Sequence, residues 1–190
     1  MKLERILPFA RRLLQSAVSE GDIAVDATLG NGHDTVFLAS LSGESGHVYG
    51  FDIQEAAVDH SKQRIEANNL SKQVTLFLKG HQYIQTSIPE LHAGKIKGAI
   101  FNLGYLPGGN KSVVTKAETT IQAVQQLLEW MAPEGIIVLV IYQGHPEGKL
   151  ERDSLLSFIS SIPQDMAHVL QYAFINQVND PPFIIAIEKR

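Results

Sequence analysis

Residues 23–35 of the chain read IAVDATLGNGHDT. A short apolar run, Ile23 to Ala27, has the look of a strand, and it passes through a glycine-bearing turn into a helix over roughly Asp34 to Leu41. Gly30 and Gly32 supply the tight turn and the close backbone approach that a nucleotide-like ligand requires. The next apolar run ends in VYGFDIQ, residues 48–54, and places Asp52 twenty positions beyond Gly32. A carboxylate at such a strand tip accepts hydrogen bonds from both hydroxyls of a ribose. The glycine pair alone is a weak signal, but with strand, helix and acid in register it marks a nucleotide-binding α/β unit.

The same unit serves dinucleotides, and charge separates the readings. A dinucleotide site wants a third glycine where this chain has Thr35, and Asp34 beside it would set a negative charge against a diphosphate. S-adenosylmethionine carries no phosphate and presents a sulfonium and an α-amino group, so acids near the turn (Asp26, Asp34) are tolerable or useful. Taken as local structure only, Asp26 is a turn-capping carboxylate and Asp34 a charge at a helix N-terminus.

Strands and helices alternate on either side of this stretch. An opening helix over about residues 2–18 carries Leu3, Ile6, Leu7, Ala10, Leu13, Leu14 and Ala17 at helical spacing, with Pro8 as a point of kinking. Strands follow at Val48–Asp52, Val74–Leu78 and Gly98–Leu103. The helix between the first two covers Glu55–Asn68, with Val58 and Ile65 facing inward. The spacing of Val114, Ala117, Ile121, Val124, Leu128 and Met131 predicts the longest helix over about Val113–Met131, ended by Pro133 and Gly135. The run IIVLVIY, residues 136–142, is a fully buried strand. A helix over Leu150–Ile159 and strands over Ala167–Ile175 and Phe183–Glu188 complete the chain. With no helix between those last two strands, they form an antiparallel hairpin at the sheet edge. The expected fold is a single α/β domain over residues 1–190: a Rossmann-like, mostly parallel seven-stranded sheet with helices on both faces.

Composition fits an ordinary globular protein: 190 residues, 44% hydrophobic, 19% charged and no cysteine, which removes disulfides, thiolate metal sites and cysteine nucleophiles. None of the seven histidines pairs with companions at metal-site spacing, so no metal is expected. The N-terminal MKLERILPFARRLL lacks the apolar core of a signal peptide, and no run approaches a membrane span, so the expected location is the cytoplasm. A net charge of −4 argues against a broadly basic nucleic-acid coat. Lys2, Arg5, Arg11 and Arg12 nevertheless crowd the first helix, as either a solvated face or an RNA-contacting patch.

The fourth strand ends in AIFNLGYLPGGNKS, residues 99–112. At the carboxyl edge of an open α/β sheet, where ligands sit, Asn102 and the Leu103 carbonyl can accept hydrogen bonds from an amino group. Tyr105 can stack on a flat base. The fifth strand delivers IYQGHPEG, residues 141–148, to the same edge, so Tyr142 and His145 converge on the same place.

NLGYLP resembles the Asn/Asp-Pro-Pro-Tyr motif of amino-group methyltransferases, with Leu103 and Gly104 in place of the two prolines. Together with DATLGNGHDT, FDIQ, IYQGHPEG and DPPF, it makes the chain resemble the YtqB/MnmM-like rRNA methylase family from Asp26 through Pro182. That resemblance implies a class I methyltransferase fold, S-adenosylmethionine as cofactor, and N-methylation of the aminomethyl group on the wobble uridine of tRNA, giving 5-methylaminomethyl-(2-thio)uridine. It implies cofactor contacts from Asp26, Gly30, Asn31, Gly32, Asp52, Gln54 and Asn102. Substrate-side roles fall to Asn102, Tyr105, Tyr142 and His145. The chain departs from the wider superfamily at Thr28, where many members have a glycine. It departs again at GHQ (80–82), where His81 or Gln82 stands in for the usual acid at the adenine amine. With a tRNA anticodon stem-loop as partner, Arg5, Arg11, Arg12 and Lys111 become expected phosphate contacts, and a homodimer is the assembly considered. The competing readings are a methyltransferase for another RNA or a small-molecule amine, a nicotinamide-dependent oxidoreductase, and a non-catalytic nucleotide-binding protein.

Overall fold

The structure is a computed structural model that describes residues 2–106, 108, 113–144 and 146–190. Lys111 and His145, named above for RNA contact and for the substrate side, lie outside the described residues. Seven strands form one sheet in the order β3-β2-β1-β4-β5-β7-β6. They are β1 (Ile23–Asp26), β2 (His47–Asp52), β3 (Val74–Leu78), β4 (Ile96–Leu103), β5 (Met131–Ile141), β6 (Ala167–Tyr172) and β7 (Phe183–Lys189). Pairings from β3 through β5 are parallel, while β7 runs antiparallel between β5 and β6. The expected edge hairpin is therefore present, with its second strand folded inward against β5.

Helices α1 (Ile6–Ala17), α2 (His33–Ser42) and α3 (Glu55–Ala67) cover one face. The short α4 (Ile84–Ser87), α5 (Ala117–Trp130) and α6 (Pro146–Ser160) cover the other. Between them β4 and β5 are buried on both sides: Phe101, Ile137 and Leu139 are wholly excluded from solvent. At roughly 1.5–3 kcal/mol per fully buried large side chain, these central strands hold the sheet together and fix where its carboxyl edge lies.

Several boundaries differ from the sequence reading, each for a local reason. Pro8 leaves α1 unkinked because it falls in the first turn, where its missing N–H has no intrahelical partner to lose. Residues 113–115 do not join α5. Val114 bridges Tyr105, and the Thr115 N–H donates to the Gly104 carbonyl at 3.0 Å, so this β-branched stretch pairs beside the end of β4 instead. α5 is consequently 14 residues and α6, at 15, is the longest helix among the described residues. Pro133 and Gly135 lie within β5, at an irregularity where Ile96 pairs with Met131 but Gly98 with Ile136. The inward stripe of α3 is Ala57, Ser61 and Ile65, and Val58 is only partly buried.

Candidate functional site

A cleft of about 1070 Å³ opens at the carboxyl edge of the sheet, over the tips of β1, β2 and β4. Its floor is the turn after β1, and the hydrogen bonds of that turn show why each residue is needed. Gly32 caps α2 at φ +74 and packs against Ser61 of α3, where a Cβ would stand 3.0 Å from the Ser61 Cα. The Ser61 hydroxyl donates to the Gly30 carbonyl at 3.0 Å, and Arg64 Nε donates to the Asn31 carbonyl at 2.7 Å. Asp52 closes the other side, its Oδ2 accepting the Gly30 N–H at 3.0 Å and its Oδ1 the Gln54 N–H at 2.9 Å. Each carboxylate oxygen keeps a further lone pair for a ribose hydroxyl. Gly30, Asn31, Asp52 and Gln54 all line the cleft.

Asp26 and Gly32 do not line it. Asp26 is 0% exposed beneath the turn, accepting the Thr28 N–H at 3.2 Å and the Thr35 hydroxyl at 2.6 Å. In this fold Asp26 supports the turn from below, and Gly32 packs closely against α3. Burial, reinforced by the nearby Asp34 carboxylate, pushes the Asp26 carboxyl up to about 7 despite those two hydrogen bonds.

Thr28 explains its own departure from glycine: its hydroxyl accepts the Asn102 N–H at 2.7 Å, tying the β1 turn to the tip of β4. The Asn102 side chain donates from Nδ2 to Asp34 Oδ2 at 2.9 Å. Arg11 donates from Nε and Nη2 to the other oxygen of Asp34, at 3.2 and 2.9 Å, with its guanidinium 5.2 Å over the Phe37 ring. Asn102, Asp34 and Arg11 all line the cleft. The Leu103 carbonyl, expected to face an amino group, accepts the Tyr142 N–H at 3.2 Å just past the end of β5 and keeps a second lone pair. One residue on, Gly104 donates its N–H to the Thr115 hydroxyl at 3.0 Å, which donates in turn to the buried Glu151 of α6 at 2.7 Å.

Tyr105 and Tyr142 also line the cleft, 41% and 37% exposed. Partial burial and the Asp34 carboxylate hold the Tyr142 hydroxyl above its usual range, so it is a proton donor at neutral pH. His81 and Gln82 line the cleft beyond β3. His81 Nδ1 meets the Ala27 carbonyl at 3.0 Å, and since a carbonyl only accepts, Nδ1 carries the proton. Burial holds the ring neutral, lowered to about 4, and leaves Nε2 a buried acceptor without a partner among the described residues. Such an orphaned acceptor fits a ligand with an amine donor, as an adenine has, and the Asp52 lone pairs fit a ribose.

The basic residues divide. Arg11 donates to Asp34, and Arg12 donates from Nε to Glu4 at 2.8 Å on the protein surface, so each already has a carboxylate partner. Arg5 is exposed at the start of α1. Two lysines that the motifs did not single out, Lys79 and Lys116, line the cleft without a carboxylate partner among the described residues. Nothing in their local sequence marks them, since only the sheet order brings residues 79 and 116 to one rim. Ser61 was legible in principle, as a polar residue inside the Ala57–Ile65 stripe of α3.

The model of a family described as putative rRNA methylase matches residues 48–188. A chloroplastic tRNA (mnm(5)s(2)U34)-methyltransferase of Arabidopsis thaliana is 32% identical over 183 residues, which is 92% of this chain but 66% of that enzyme's length. Among solved structures, a putative rRNA-methylase from Clostridium thermocellum superposes with a TM-score of 0.96 at 42% identity, covering 100% of both chains. A putative methyltransferase from Streptococcus mutans in complex with SAH superposes with a TM-score of 0.89 at 38% identity, covering 99% of each.

Proposed function

The chain belongs to the family described as putative rRNA methylase, and from that membership and the geometry of the cleft we propose that it is an S-adenosylmethionine-dependent N-methyltransferase acting on tRNA. Its target in this reading is the aminomethyl group of the wobble uridine, and the product is 5-methylaminomethyl-(2-thio)uridine. The relative from Arabidopsis thaliana supports the substrate, and the SAH complex of the Streptococcus mutans protein supports the cofactor. The observation that carries the reading is the position of Asn102. Its amide stands at the tip of β4, in the same cleft as the Gly30 turn and Asp52.

Bound S-adenosylmethionine supplies an electrophilic methyl group on a sulfonium. Asp52 and Gln54 would hold the ribose end and His81 Nε2 the adenine amine, while Asn31 and the Gly30 backbone face the remainder. The chain's own task is to bring up a nitrogen with its lone pair free. An alkylammonium must first lose a proton, which passes to solvent water as the amine enters the cleft. Burial there penalises the charged form, and Arg11 offsets the Asp34 carboxylate that would favour it. Asn102 Oδ1 then accepts an N–H of the neutral amine and turns its lone pair toward the methyl group. Tyr142, protonated, donates to a carbonyl of the base, and the exposed ring of Tyr105 offers a stacking face.

The test is transfer of labelled methyl to total bacterial tRNA followed by nucleoside mass spectrometry, with the label expected on the aminomethyl group. Asn102→Ala is expected to cut turnover by at least tenfold while leaving cofactor affinity within about twofold. Equal loss of both would reduce Asn102 to a cofactor-binding or structural residue. A homodimer is proposed as well, supported by the outer strand β6, whose Val169 and Leu170 are exposed at the sheet edge. Light scattering that returns a monomer mass at micromolar concentration would remove it.

A further inference from the structure

We propose that Asp34 is a positioning residue for methyl transfer, fixing which end of the Asn102 amide faces the substrate amine. The inference rests on the reading of Asn102 given above. An amide has one donor end and one acceptor end, and only the acceptor end can take an N–H from a neutral amine. A carboxylate only accepts. The 2.9 Å contact between Asn102 and Asp34 Oδ2 therefore has to be made by Nδ2, because the turned-over amide would set oxygen against oxygen. With the Asn102 N–H already held by Thr28 at 2.7 Å, backbone and side chain are both fixed, and Oδ1 is the end left for the cleft.

Arg11 completes the device. Its two donors converge on Asp34 Oδ1, so the carboxylate is divided between a guanidinium on one oxygen and the amide on the other. This gives Arg11 of α1 a task in the reaction site. It also makes the carboxylate specific. In Asp34→Asn the single oxygen goes to Arg11, leaving an N–H facing Asn102, whose amide must turn over and point its own donors at the amine. In the double variant Asp34→Asn, Asn102→Asp that same N–H meets a carboxylate oxygen, and the second carboxylate oxygen faces the amine. The exchange thus restores the polarity that the single change inverts.

The experiment measures kcat on tRNA and cofactor Kd by calorimetry for wild type, Asp34→Asn, Arg11→Gln and the double variant. Asp34→Asn is expected to lower kcat on the order of ten- to a hundredfold with cofactor Kd changed less than about threefold. The double variant is expected to recover at least about tenfold over the single, and Arg11→Gln to lower kcat less than Asp34→Asn. A double variant as slow as or slower than Asp34→Asn would overturn the inference, since a charge that merely stabilises the start of α2 is not restored by a change at residue 102. An active wild type with an unimpaired Asp34→Asn would overturn it too while leaving the methyltransferase reading intact. A wild type that transfers nothing to tRNA would end both.

Discussion

Asp26 carries one of the recognisable acids of the β1 turn, and in the fold it lies buried beneath that turn. Buried completely, it is held by Thr35 and Thr28, and its carboxyl is raised from 3.8 to about 7. A carboxyl whose folded value lies above its unfolded one takes up protons on folding between those two values. Its contribution is therefore fully present below 3.8 and is lost as pH rises through about 7. Asparagine mimics the protonated form, accepting from Thr28 and donating to Thr35. Relative to wild type, Asp26→Asn should gain stability between about pH 5 and about pH 9, by a few kcal/mol at about 1.4 kcal/mol per tenfold in proton affinity. Urea denaturation at the two pH values checks it, and parallel curves would show an ionised carboxylate under the turn. Thr28→Val tests the neighbouring link: the Asn102 N–H loses its acceptor in a part-buried place, at a cost of about 1–3 kcal/mol in the same assay.

At the scale of elements, the turn is shaped by α3 as much as by β1 and α2. Gly32 lies at φ +74, which a side chain rarely adopts, and any Cβ would press on the backbone of Ser61. Gly32→Ala should cost about 1–3 kcal/mol by combining a strained φ with overpacking, and should weaken cofactor binding by moving the Asn31 and Gly30 carbonyls that α3 holds. Melting temperature and calorimetric affinity are expected to fall together, and a fall in only the first would separate α3 from the cleft. Strand existence and order of appearance were readable because short β-branched apolar runs such as Ile136–Ile141, set off by Gly135, suit a sheet interior, whereas Tyr142, expected to be buried with them, lies past the strand at 37% exposure. Boundaries were not, because they depend on partners far away in the chain. Residues 113–115 read as the start of a helix until Gly104 and Tyr105 pair with them, and Met131 leaves the helix because Ile96 pairs with it. The short turns at His81–Tyr83 and Glu90–His92 have too few residues for any periodicity to show.

Across the whole molecule, the same distinction governs charge. Sequence proximity made Arg5, Arg11 and Arg12 look like one basic patch, but folding sets Asp34 against Arg11 and Glu4 against Arg12. The fold gathers Lys79, from beyond β3, and Lys116, from the start of α5, at the rim of the cleft instead. With a net charge of −4, the chain as a whole repels a polyanion, so the tRNA affinity that the proposed function requires would have to come from local cations. Each phosphate neutralised releases counterions and contributes about 0.7–0.9 to the slope of log K against log salt. Lys79→Ala and Lys116→Ala should each reduce that slope by about that amount in a titration of tRNA binding over salt concentration. Arg12→Ala should leave it unchanged, because the charge removed is already matched by Glu4. If Arg12 carries the slope and the two lysines do not, the RNA crosses the outer face of α1. In that case Arg12 has to exchange Glu4 for a phosphate on binding, and tRNA should protect α1 rather than the cleft rim from labelling.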